Sequence, residues 1–155
     1  TSTVFQTDLA FTMHRQLNLL ADEIRAYPSD TALWIVPAGI TNSGGNLCLH
    51  LIGNLRHFIG HLLGGGDYAR DREYEFNAKD LTRAQLLDLI NTCQHEFDTG
   101  LANIETNRLG EIAPAKAAGH EVTVRQLMFH LLAHFAYHLG QINYHRRFGM
   151  NGKIA

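Results

Sequence analysis

Four stretches of the chain repeat apolar residues at intervals of three and four, and that period confines them to helices with one buried face. In the first, roughly Val4 to Ala26, the stripe is Phe5, Leu9, Met13, Leu17, Leu20 and Ile24. Pro28 follows and biases Tyr27 away from helix. The second begins near Asn46, after Asn42-Ser43-Gly44-Gly45, and carries Leu47, Leu51, Leu55, Phe58 and Leu62. It is expected to stop at Gly64-Gly65-Gly66, where backbone entropy opposes helix. Helices three and four open on matching capping boxes, Thr82-Arg83-Ala84-Gln85 and Thr123-Val124-Arg125-Gln126. In each, the Thr hydroxyl accepts from the Gln N–H while the Gln side chain reaches back. Leu81 with Leu86, and Val122 with Leu127, supply the hydrophobic staples. Helix three buries Leu86, Ile90, Cys93, Phe97, Leu101 and Ile104, and helix four runs to about Phe148 and closes at Gly149.

Four amphipathic helices without a convincing strand imply an all-α, four-helix bundle, and 155 residues suit one domain over 1–155. Residues 32–40 look strand-like, but Pro37 and Gly39 argue for an ordered apolar connection, a plug for one bundle end or an interface around Trp34-Ile35-Val36. The link from Gly64 to Asp80 is too long for a tight turn and could cross the bundle, making helices two and three parallel. Spacing alone leaves that topology open.

A net charge of -2 and a pI of about 6.5, with no basic stripe, argue against nucleic acid as a partner. No apolar run approaches bilayer length, and the first residues lack a basic start, so no membrane role and a cytoplasmic location are the expectations. Cys48 and Cys93 have no motif spacing and read as small buried hydrophobes.

Histidine is the compositional outlier, with 10 residues. The last helix carries His130, His134, His138 and His145 within an arc of about 80°, with Gln141 among them. The second carries His50, His57 and His61 within about 40°, with Asn54 between. Histidines four apart on a helix can aim ring nitrogens at one ion. His130 with His134, His134 with His138, and His57 with His61 all have that spacing, which does not choose among them. His14, His95 and His120 lack a ligand-spaced partner and read as ordinary polar positions. Buried histidines without partners cost free energy, so stripes facing a bundle need water or a metal. Position 135 is Phe, so the general base of an HExxH metalloprotease is missing, and neither stripe offers the Glu-x-x-His of a di-iron site. Three neutral imidazoles and an open position suit Zn²⁺ or Ni²⁺.

The stretch 127–142, LMFHLLAHFAYHLGQI, resembles the last-helix signature of the DinB-like superfamily, H-x-x-x-H followed by G-Q-I. Residues 46–56, NLCLHLIGNLR, are similar to its second-helix signature, a single ligand His among apolar residues. Residues 70–76, RDREYEF, look like a connecting segment of an uncharacterised branch. The resemblance implies an up-down-down-up bundle with a long crossover between helices two and three. It implies a metal triad at His50, His134 and His138, leaving His130, His57 and His61 as neighbours, and a homodimer. Its characterised members include bacillithiol transferases and mycothiol-dependent isomerases, and others are described as metal-dependent hydrolases. The leading expectation is therefore a metal-dependent enzyme transferring a low-molecular-weight thiol to a small electrophile. Hydrolysis of a small molecule, or a non-catalytic, metal-binding, dimeric stress-response scaffold, are the alternatives. Asn54, Tyr137 and Gln141 are candidates for orienting the ligands. Arg70 and Arg72 could meet an anionic thiol, but pairing with Asp71, Glu73 and Glu75 is the plainer expectation.

Overall fold

In the computed structural model, which describes residues 3–150, all four periodic stretches are helical. Helix α1 spans Val4–Arg25, α2 Gly44–Leu55, α3 Arg72–Asn77, α4 Arg83–Ala102 and α5 Val124–Met150. No β-strand occurs among the described residues; two isolated bridges, Ile112 with Thr123 and Ala117 with His120, tie the segment before α5. None of these helices is long and apolar enough to cross a membrane.

Local chemistry sets the ends. The Thr82–Gln85 and Thr123–Gln126 boxes both form, with reciprocal contacts of 2.9 and 3.1 Å in each. A third box, Thr3 with Gln6, opens α1, and its T-x-x-Q pattern is as readable as the other two. Buried Gln6 also donates to the Leu101 and Ile104 carbonyls, tying the start of α1 to the end of α4. Helix α2 starts two residues before Asn46 because Ser43 serves as its cap. It continues as a π-wound segment, Arg56–Leu63. That wider winding departs from the 3.6 residues per turn that places His57 and His61 on one stripe with His50, and the departure grows along the segment toward His61. Helix α5 runs through Gly149 rather than closing there.

The core is continuous. Met13, Leu17, Leu20 and Ile24 of α1, Leu51 and Leu55 of α2, Leu86, Cys93 and Phe97 of α4, and Leu127, Leu131, Phe135 and Ile142 of α5 are all buried. Cys48 and Cys93 are free, buried thiols. Helix α2 packs on both α4 and α5, and α1 packs on the same pair. Residues 31–40 form a 3₁₀ turn, Thr31–Trp34, whose Trp34 indole donates to the Leu81 carbonyl at 2.9 Å, and then a second turn in which Ile40 N–H donates to the Pro37 carbonyl. The crossover between α2 and α4 is ordered by α3 and lies against α2. Asn46 fixes it there, donating to the carbonyls of Glu75 and Ala78 at 3.0 and 2.8 Å.

Candidate metal centre

His50 is buried on α2, and His134 and His138 lie half-buried one turn apart on α5. Packing of α2 on α5 brings the three rings edge to face, with centroids 5.0, 5.2 and 4.6 Å apart. One nitrogen from each lies within 4.8 Å of the others. His50 Nε2 and His134 Nε2 are 3.1 Å apart, both turned toward the same point.

The outer nitrogens show why the rings point inward. His50 Nδ1 is 3.1 Å from Glu75 Oε1 and 3.3 Å from Arg70 Nη2; the shorter contact is to a carboxylate, which only accepts, and it favours the tautomer with the proton on Nδ1 and a lone pair on Nε2. His138 Nδ1 donates to Gln141 Oε1 at 2.7 Å, with the same consequence. A ligating histidine needs just such a partner on its far nitrogen to fix tautomer and orientation. Glu75 is itself held by Arg70 in a bidentate pair, at 2.8 and 2.9 Å. Burial pulls the Glu75 carboxyl upward, but His50 and Arg70 outweigh it and hold the group below its ordinary range. Gly53 makes this possible: a Cβ there would overlap the Glu75 carboxylate, which lies directly against α2.

The protein alone satisfies these rings poorly. His134 Nδ1 is buried and has no hydrogen-bond partner among the described residues, while its Nε2 faces another imidazole nitrogen. Burial, reinforced by His138 and His50, pushes His134 down to about 4. Burial also lowers His138, with Gln141 pulling the other way. Neutral imidazoles converging on one point are the ligating form, so the donor set fits a divalent ion that prefers nitrogen ligands.

Residues 3–152 match the model of a family described as a protein of unknown function, DUF1572. The chain belongs to this family. No curated protein matches it.

In this DUF1572 protein the remaining candidate residues separate. Asn54 is buried and lines a cavity of about 210 Å³ beside His50 and His134. Tyr137 packs its ring 5.3 Å from that of His138 and lines a second cavity, of about 540 Å³, with His138 and Gln141. His130 stacks beside His134 at 6.2 Å and faces the smaller cavity. His57 and His61 pair with each other, and His61 Nδ1 donates to the Gly66 carbonyl. His145, which the helical projection groups with His134 and His138, joins a different site. Its Nε2 donates to the Ile35 carbonyl at 2.8 Å, and its Nδ1 meets the Tyr27 hydroxyl at 2.7 Å. Glu75 is the site residue that sequence reasoning undervalued, having placed it only among possible partners for arginines. Its spacing to Arg70 was readable; its reach to His50 depends on how the crossover lies.

Proposed function

We propose that the chain is a metal-dependent enzyme of the DinB-like type, a four-helix bundle in up-down-down-up order. In this reading His50, His134 and His138 hold one Zn²⁺ or Ni²⁺ ion, and the protein transfers a low-molecular-weight thiol to a small electrophile. The observation that carries it is the convergence of three histidine nitrogens within 4.8 Å, with two rings fixed from behind by Glu75 and Gln141. When bound, such an ion would favour the deprotonated form of a sulfur or oxygen nucleophile at neutral pH.

The chain's own residues favour transfer over hydrolysis. Two cavities touch different members of the triad, the smaller His50 and His134 and the larger His138. Hydrolysis needs room for one organic reactant; transfer needs room for two. The larger cavity falls within the usual range for small-molecule sites, and Ile40, Leu47, Tyr144 and Phe148 give it apolar walls for an electrophile's body. Gln141 and Glu75 would keep His138 and His50 in their ligating tautomers throughout turnover.

The test is elemental analysis of protein purified without an affinity metal column, alongside His138→Ala. The expected result is near one equivalent of zinc or nickel in the parent, lost in the variant with helical dichroism intact. Screening the loaded protein for thiol conjugation to halogenated and epoxide electrophiles then tests the activity. Absence of metal, even after Zn²⁺ or Ni²⁺ is added, would reduce the histidines to a polar core and the protein to a scaffold.

A further inference from the structure

The smaller cavity collects positive charge with no acid to answer it. Resting on the metal reading above, we propose that it is an anion subsite, taking a carboxylate or phosphate group of a small reactant and so selecting acidic molecules for the adjacent triad. Arg72 reaches the cavity from α3, Lys116 from the segment before α5, and His130 from α5 itself. Three separate segments thus deliver cationic or protonatable groups to one space of about 210 Å³ whose walls include His50 and His134. No carboxylate lines it among the described residues. Glu75, the acid behind His50, already has both oxygens engaged by Arg70, and one of them by His50 as well.

Neither Arg72 nor Lys116 forms an ion pair among the described residues. The Arg72 guanidinium lies over the Phe76 ring, 5.6 Å from its centroid. A cation–π contact of this kind occupies no N–H donor in an ion pair, so the guanidinium can still donate to a bidentate anionic partner. Phe58, Leu127 and Leu131 form the apolar part of the wall, while Arg72, Lys116 and His130 are exposed at its rim, where an anion arriving from solvent can reach them. A dication at the triad would raise the potential further, and an anion is the chemistry that offsets it. The cavity is smaller than a typical small-molecule site, so it suits the charged end of a reactant whose body extends beyond it.

The experiment titrates inorganic phosphate, succinate and uncharged succinamide into the full chain, metal-free and zinc-loaded, followed by amide NMR shifts. An anion should bind the metal-free protein with shifts centred on Arg72, Lys116 and His130, and succinamide should not. Arg72→Gln/Lys116→Gln should weaken that Kd at least about tenfold, with zinc stoichiometry and helical dichroism unchanged. Preference for succinate or for phosphate identifies which anion the subsite was built to take. Succinamide binding as well as succinate would overturn the proposal. An unchanged Kd in the double variant, including anion binding that appears only with zinc, would overturn it too. A chain that takes up no zinc yet binds anions through Arg72 and Lys116 keeps the subsite and sinks the metal reading.

Discussion

Helix α5 carries two histidine sites, at His134 and at His145 about three turns on, and they are opposites. At His145 every polar atom has an answer: Nε2 donates to the Ile35 carbonyl and Nδ1 accepts from the Tyr27 hydroxyl. The ring joins the end of α1, the 31–40 connection and α5, and it is 4% exposed. At His134 the far nitrogen is orphaned among the described residues and the near one faces another imidazole. Both sites lean on a glycine of α2. A Cβ at Gly44 would overlap the Tyr27 hydroxyl, and one at Gly53 would overlap the Glu75 carboxylate. The same residue type on one helix is a joint where its hydrogen bonds close internally, and a receptor where they are left open toward a shared point.

The two glycines break or sharpen that contrast most strongly. Gly44→Ala drives a methyl into packed Tyr27 and His145, and overpacking plus broken hydrogen bonds should cost about 3 kcal/mol or more. At about 2–4 °C per kcal/mol for this size, thermal unfolding should shift by several degrees or more, with zinc affinity unchanged. Gly53→Ala should do the reverse. Displacing Glu75 from His50 should weaken zinc binding by about 10–100-fold with a smaller loss of stability, read by competitive metal titration. If Gly53→Ala instead unfolds the chain and leaves metal affinity alone, Glu75 is a structural ion-pair partner only.

A gentler pair separates the same sites. Tyr27→Phe leaves buried His145 Nδ1 without its donor and should cost about 1–3 kcal/mol in urea unfolding. Zinc at about a hundred times its Kd should still stabilise this variant by about 2.7 kcal/mol, as it does the parent, while His138→Ala should gain nothing.

Much of this was legible before any coordinates. Apolar periodicity and the Thr-x-x-Gln boxes located the helices, because both depend on neighbours within one turn. The histidine spacing located a cluster without choosing its members. What failed was whatever depended on distant chain. A projection at 3.6 residues per turn does not apply through the π-wound Arg56–Leu63, so spacing alone could not fix the faces of His57 and His61. The same projection put His145 with His134 and His138, although Tyr27 and Ile35, contributed by elements more than a hundred residues away, claim it for another purpose. Glu75 was visible as a charge and invisible as a partner of His50, since that contact requires Asn46 to hold the crossover and Gly53 to admit the carboxylate.

The smallest effect is the response of the joint to pH. Burial lowers His145 below its ordinary value, with the Ile35 carbonyl pulling the other way. The folded pKa therefore lies under the unfolded one, near 6.5. Stability from this ring is fully present above that value and is lost as pH falls through it, because the unfolded chain takes up its proton first. His134 and His138 are lowered too, so all three act in the same direction in metal-free protein. Urea unfolding of metal-free parent at pH 7, 6 and 5 should show falling stability, and His145→Gln, which cannot be protonated, should show a shallower slope. Each proton is worth at most about 1.4 kcal/mol per pH unit, and His57 and Glu75 are lowered as well, so removing one contributor of several should flatten the slope without abolishing it. Zinc should act on the other part: at pH 7 it ties up His134 and His138, and as pH falls protons compete for those rings, so the zinc-loaded parent should lose stability more steeply than the metal-free one. That extra steepness should persist in His145→Gln. If it vanishes there, the joint and the receptor are coupled and act as one site.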